Sequence, residues 1–420
     1  MQDDPTDHAF SRSRQLMVQD FVDVIPRSDV DELRMTWGDH SDVLSDARGL
    51  FVVDKPVYEC SLPGNRNFGK TGFLRSVMTS NRLVLIQSES FGSDFNYSPV
   101  IFADTNFVSL CEAFQSSRDL GGNKEAFREA VAFLNPLRQS TIPYPYLLEN
   151  AEHPNKEKIR STLLAFAAFK FGHPNTSPTE RGFSYSCSIS DLEKVADDAL
   201  LMMDGPDFKA VHSLAKHHFT WARIILLKSA LVVFENPAST ASRRFYILLK
   251  FFHERFARLL QFETHVAYRY FLLNSEEPFF NPVQRNSGKL NQSLRSMAWD
   301  LAHWKMLFDI SNVISSRPER SPFPVPHFLS FDRRFIRLIE AFHLSAVIFS
   351  KRMRRCEQFY TYALLKEMSD VLQGPCREFY DEESVKDRQK RALKEQSSDR
   401  DLIEVEAELT EDLASHLGDK

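Results

Sequence analysis

Short apolar runs separated by turn-forming residues dominate the chain up to about Leu148, and long helical periodicities follow. From Leu50 to Phe91 the pattern predicts strands at Phe51-Val-Val, Val57-Tyr-Glu-Cys and Arg82-Leu-Val-Leu-Ile-Gln. The run Pro99-Val-Ile-Phe-Ala, bounded upstream by Gly92-Ser-Asp, predicts a buried strand. That strand delivers Asp104 at its C-terminal end, just before a helix-like segment from Phe107 to Phe114. A helix pair is expected at about Asn106 to Ser116 and Asn123 to Asn135, joined at Gly121-Gly122. Amphipathic runs then follow at Lys158 to Phe171, Ser190 to Met203, Phe208 to Phe234 and Ser242 to Asn274, without internal repeats.

After a Pro, Asn and Gly-rich return at Asn274 to Lys289, one helix carries Asp300 and His303 on nearly one face, with Trp299 and Trp304 available to pack. A Pro-rich loop, Arg317 to Pro326, leads to a second short strand ending near Asp332, and a further helix begins at Phe335. From Lys351-Arg-Met-Arg-Arg355 an interrupted helical tail is expected, broken at Gly374-Pro375. Beyond Arg377 acids and bases alternate with few large apolar residues, the pattern of a solvated helix or a partly disordered tail. Before Leu50 the chain is mixed and polar, with one helix expected over Ser13 to Val24.

Composition changes this picture little. The chain has 420 residues, 43% hydrophobic and 26% charged, enough for two or three domains or for one domain with a large insertion. A net charge of -5 excludes the uniformly basic surface of a nucleic-acid packaging protein, but not a local basic groove. Five scattered cysteines, Cys60, Cys111, Cys187, Cys356 and Cys376, suggest neither a zinc ribbon nor a disulfide framework, and a cytoplasmic location is expected. The acidic start, Met1-Gln-Asp-Asp-Pro, lacks the form of a secretory signal. The apolar run Ala222 to Phe234 carries Arg223 and Lys228, so no membrane span is expected.

The candidate chemistry lies in acids set on apolar scaffolds: Asp104 after its strand, Glu149 in Pro143-Tyr-Pro-Tyr-Leu-Leu-Glu149, Asp300 on its helix and Asp332 after the later strand. Glu152, almost a turn beyond Glu149, competes for the second place. Carboxylates forced together repel one another, and hard divalent cations prefer carboxylate oxygens, so a converging set points to metal-assisted chemistry. Gly64-Asn-Arg-Asn-Phe-Gly69-Lys70-Thr71 satisfies the written form of a phosphate-binding P-loop and supports an alternative reading as a nucleotide hydrolase. Its bulky middle would crowd a curled backbone, and it leaves Asp300 and Asp332 without a role. A plain turn is therefore the preferred reading.

In order and setting, the four acids resemble the PIN-like nuclease family: an Asp closing the first strand with an Asn two residues on, then a Glu, an Asp on a helix and an Asp closing a later strand. The resemblance implies an α/β three-layer core with a mainly parallel sheet, and endonucleolytic, metal-dependent cleavage of RNA with Mg2+ or Mn2+. It makes Asp104, Glu149, Asp300 and Asp332 catalytic metal ligands. Asn106 would order the first loop or contact phosphate, and Arg333, Arg334 and Arg337 would draw in the phosphate backbone, although plain charges on a solvated helix start are the preferred reading of these arginines. Tyr144 and Tyr146 would be placed to stack a base, against simple packing. The implied division is a polar segment 1–49, core parts 50–155 and 290–350, a helical insertion 156–289 that the family lacks, and a charged tail 351–420. The insertion or the tail would offer a surface to a protein partner, and a helical interaction protein with a degenerate nuclease domain is a third reading. Arg258-Leu-Leu-Gln-Phe-Glu-Thr-His265 also fits the loose spacing of the HEPN ribonucleases. A core helix with a snorkelling Arg and a solvent-facing His is preferred there.

Overall fold

In the computed structural model the described residues are 47–52, 63–77, 83–87, 97–174, 182–273, 276–314, 323–342, 344–350, 355–360, 368–394 and 399–418. The expected strand at Val57 and helix at Ser13 to Val24 lie outside them. In chain order the strands are β1 (Ala47–Val52), β2 (Arg66–Phe68), β3 (Gly72–Ser76), β4 (Leu83–Gln87), β5 (Tyr97–Ala103), β6 (Thr141–Ile142), β7 (Gly172–Pro174), β8 (Phe183–Tyr185), β9 (Phe323–Ser330), β10 (Leu344–Ser350) and β11 (Arg355–Tyr360). The helices are α1 (Thr105–Gln115), α2 (Lys124–Leu134), α3 (Tyr144–Glu149), α4 (Lys156–Phe171), α5 (Ile189–Asp204), α6 (Pro206–Glu235), α7 (Ala241–Phe256), α8 (Gln261–Leu273), α9 (Leu290–Ile314), α10 (Arg333–Glu340), α11 (Ser369–Gln373), α12 (Glu382–Lys394) and α13 (Asp399–Gly418).

The fold is α/β, but its sheet is mixed rather than mainly parallel. One sheet has the order β2-β3-β9-β5-β6, with β9, β5 and β6 parallel and β2 and β3 antiparallel. A second sheet, β11-β10-β1-β4, is antiparallel throughout. Apolar runs mark strands without giving their direction. The three-residue connection between β2 and β3 forces those two to be antiparallel, because a parallel return needs a long crossover. Residues 355–360, expected as helical tail, form the edge strand β11.

β9 begins inside the expected Pro-rich loop and carries Pro324 and Pro326 into the centre of the sheet. Its pairing explains the tolerance. Asp104 donates its backbone N–H to the Leu329 carbonyl, so the odd-numbered residues of β9 face β5. The proline nitrogens face the other side, where β3 reaches only as far as His327.

Helix starts follow local chemistry. Asn155 caps α4, a Ser188–Asp191 capping box opens α5, Pro206 occupies the first turn of α6, and Thr240 caps α7. The single helix expected over Ser242 to Asn274 is instead two, separated at Ala257, whose φ of 49° turns the chain left-handed.

One continuous core joins the sheet to the helical region, with the fully buried rings of Phe107, Phe127 and Phe169 among its centres. The end of the chain joins that core as well: Leu402, Val405, Leu409 and Leu413 form a buried stripe on α13, and Glu406 pairs with Arg223 of α6. Their spacing of three and four residues is helical, diluted by the surrounding charges. Among the described residues no helix is long and apolar enough to cross a membrane.

Candidate functional site

Parallel neighbours β5 and β9 end side by side, with Ala103 opposite Leu329, and this brings the two strand-end acids together. Asp104 caps α1, accepting the Phe107 N–H at 2.8 Å, and Asn106 Nδ2 donates to its Oδ2 at 3.2 Å. Asp332 caps α10, accepting the Arg334 N–H at 3.0 Å. Ser330, the last residue of β9, links the pair: its hydroxyl donates to Asp104 Oδ2 and accepts the backbone N–H of Asp332 at 3.0 Å. A Phe331 ring packed close over Gly72 seats this corner on β3, where even a Cβ would come within 2.8 Å of the ring.

Glu149 ends α3, and its Oε2 accepts a hydrogen bond of 2.5 Å from the Thr105 hydroxyl, beside Asp104. Glu152 lies past the end of that helix, exposed, and pairs with Lys216 at 2.9 Å. Asp300 comes from the middle of α9.

Electrostatics tie the four together. Burial pushes the Asp300 carboxyl well above the usual carboxylate range, and the charges of Asp332, Asp104 and Glu149 push it in the same direction. Burial likewise raises Asp104 to about 7, against the hydrogen bonds from Ser330, Phe107 and Asn106. Burial also raises Glu149, opposed by the Thr105 hydroxyl and by Arg295. Arg334 grips Asp332 with two bonds, Nε to Oδ1 at 2.9 Å and Nη2 to Oδ2 at 2.5 Å.

No protein-family model, curated protein or solved structure matches the chain. The resemblance to PIN-like nucleases therefore stands on these acids alone. Their donor type suits a hard divalent cation. Yet among the described residues no three His, Cys, Asp or Glu side chains form a metal-holding group. Asp104 accepts hydrogen bonds from Ser330 and Asn106, Glu149 from Thr105 and Asp332 from Arg334.

The plain-turn reading of Gly64 to Thr71 is borne out, and two other expectations are corrected, at Tyr144 and Tyr146 and at His265. Gly64 to Thr71 forms no P-loop: Arg66–Phe68 and Gly72–Ser76 make an antiparallel hairpin, and no helix follows the turn. Gly69 has a φ of 49° and gives its N–H to Glu129 at 2.7 Å, so it serves the turn and its docking on α2 rather than an anion. Tyr144 and Tyr146 are buried, Tyr144 against the Phe208 ring, and are closed to base stacking. His303 is buried, stacked on Trp299, and held neutral by burial, which lowers it to about 3. His265 is also buried, against Met368 and the Phe342 ring, while Arg258 lies exposed in the α7–α8 connection.

Ser330 and Thr105 are the participants that sequence reasoning missed. Thr105 follows Asp104 and Ser330 lies two residues before Asp332, but a hydroxyl near a strand end is too common to single out.

Proposed function

We propose that the chain is a PIN-like, metal-dependent endoribonuclease whose acid set is Asp104, Glu149, Asp300 and Asp332. The observation that carries the reading is the Asp300 carboxyl, raised by burial and by the charges of all three other acids. Setting three acids whose charges act on a buried fourth is electrostatically unfavourable, and structural economy alone gives no reason to retain such an arrangement. Bound there, Mg2+ or Mn2+ would neutralise phosphodiester charge and make a water more acidic. Asp104, Asp300 and Asp332 would hold it, with Glu149 beside them. Arg334 and a cation compete for the same Asp332 oxygens, and Asn106 and Ser330 orient Asp104.

Single-stranded RNA incubated with Mn2+ should be cleaved by the wild-type chain. Asp332→Asn and Asp104→Asn should each lower the rate at least about 100-fold, the scale on which one electrostatic contributor counts in catalysis. Wild-type rates in both variants would end the reading. One observation favours the non-catalytic alternative, a degenerate nuclease domain: the lack of a three-donor metal group among the described residues. Absence of cleavage by the wild type under these conditions would support it.

A further inference from the structure

The β2–β3 hairpin faces α10 across a cleft of about 520 Å3, and Arg334, the partner of Asp332, is one of its lining residues. Its walls carry Lys70 and Arg75 on the hairpin side and Arg333, Arg334, Arg337 and Glu340 on the helix. Five cations against one carboxylate make a local positive field in a chain of net charge -5, so the patch is not a by-product of basic composition.

The cations have different tasks. Arg75 is buried and holds the walls in place: it bonds Glu340 through Nε at 2.9 Å and Nη2 at 2.7 Å, Asn67 Oδ1 at 2.6 Å and the Arg66 carbonyl at 2.9 Å. Arg334 is engaged by Asp332. Arg337 gives one N–H to the Glu276 carbonyl and, among the described residues, has no carboxylate partner. Lys70 and Arg333 are exposed, and among the described residues neither has a hydrogen-bond or ion-pair partner. Arg333 and Arg337 stand one helical turn, about 5.4 Å, apart on α10. Lys70 opposes them from the Gly69 turn, which is docked on α2.

We propose that this cleft binds the phosphate backbone of a single-stranded RNA, with Lys70, Arg333 and Arg337 as its phosphate contacts, and passes the strand to the acids at Arg334. The proposal rests on the ribonuclease reading for the identity of its ligand. Three cations spread along two walls suit a row of phosphates better than one small anion. The hairpin also withholds the curled backbone N–H groups that a nucleotide triphosphate would need.

The test is fluorescence anisotropy of an end-labelled single-stranded RNA with the full chain in EDTA, so that binding is read without cleavage. Lys70→Ala and Arg333→Ala should each weaken binding and reduce the salt slope by about 0.7, the value for one phosphate contact on a single strand. The double charge reversal Lys70→Glu/Arg333→Glu should abolish binding while the circular dichroism melt stays that of wild type, since both side chains are exposed. Wild-type affinity in the double variant, absence of RNA binding by the wild type, or tighter binding of ATP than of RNA at Lys70 would each overturn the proposal. Asp332→Asn separates the two readings. Cleavage retained in that variant with RNA binding lost on Lys70→Glu/Arg333→Glu fails the acid site and keeps the cleft, and the reverse pattern fails the cleft alone.

Discussion

Asp104 and Asp332 are built by the same local means. Each follows one of two adjacent parallel strands, each caps the helix that comes next, and each bonds the same Ser330. Their surroundings then diverge. Asp104 is buried among Phe107, Asn106 and Ser330 with no cation on it among the described residues, and its carboxyl rises to about 7. Asp332 instead has a half-exposed Arg334 beside it, which supplies the opposite charge. Local sequence places an acid at a strand end, whereas its charge is set by what the tertiary fold puts next to it. The pair combines a buried carboxyl that resists ionisation with one that faces a guanidinium.

The largest expected effect breaks the comparison at Asp104. Its folded value lies above its ordinary value, so its stabilising contribution is complete below about pH 4 and is lost as the pH rises through about 7. A rise from the ordinary 3.8 to about 7 corresponds to roughly 4 kcal/mol. Asp104→Asn keeps the cap, since Asn is as good an N-cap as Asp, and removes the ionisation. Urea denaturation should find the variant about 3–4 kcal/mol more stable than wild type at pH 8 and no more stable at pH 4. Asp332→Asn should differ from wild type by no more than about 1 kcal/mol at either pH, because it loses a pair with a half-exposed Arg. Equal behaviour of the two variants would remove the contrast.

A smaller effect tests the link between the acids. Ser330→Ala leaves the Asp332 N–H without its acceptor and takes a donor from Asp104, at a cost of about 1–3 kcal/mol. That donor opposes the upward displacement, so its loss should move Asp104 further up, seen as a higher midpoint in a carboxyl NMR titration. An unchanged midpoint would mean that burial alone sets the charge.

The strand-to-helix turns at Asp104 and Asp332 were legible because apolar runs, caps and helix starts are local. So were the helix of Asp300 and the absence of room for a phosphate nest at Asn65-Arg66-Asn67-Phe68. Strand direction was not legible, since β3 and β5 carry similar apolar patterns and run opposite ways beside β9. The choice of Glu149 over Glu152 depended on where α3 stops. The basic cleft was invisible for a different reason: Lys70 and Arg333 are far apart in the chain, and the β3–β9 pairing and the Arg75–Glu340 contact set their elements face to face. The tail misled because a four-residue apolar stripe on α13 is outnumbered by charges, yet α6 offers it an apolar face.

The smallest expected change in stability lies at Arg334, where the two regions meet. Its pair with Asp332 involves a half-exposed guanidinium, so Arg334→Gln should alter the unfolding free energy by no more than about 1 kcal/mol. The electrostatic consequence is clearer than the energetic one. Arg334 also draws the Asp300 carboxyl downward, against burial and three acids, and without it Asp300 should hold its proton to a still higher pH. Asp332, meanwhile, regains Oδ2, while Oδ1 still accepts the backbone N–H of residue 334. If these acids bind Mn2+, calorimetric titration at pH 8 should give tighter binding in Arg334→Gln than in wild type, because the ion no longer competes with a guanidinium for Asp332. Weaker binding would instead make Arg334 an organiser of the acid set, and the divergence between Asp104 and Asp332 would then serve the fold rather than a cation.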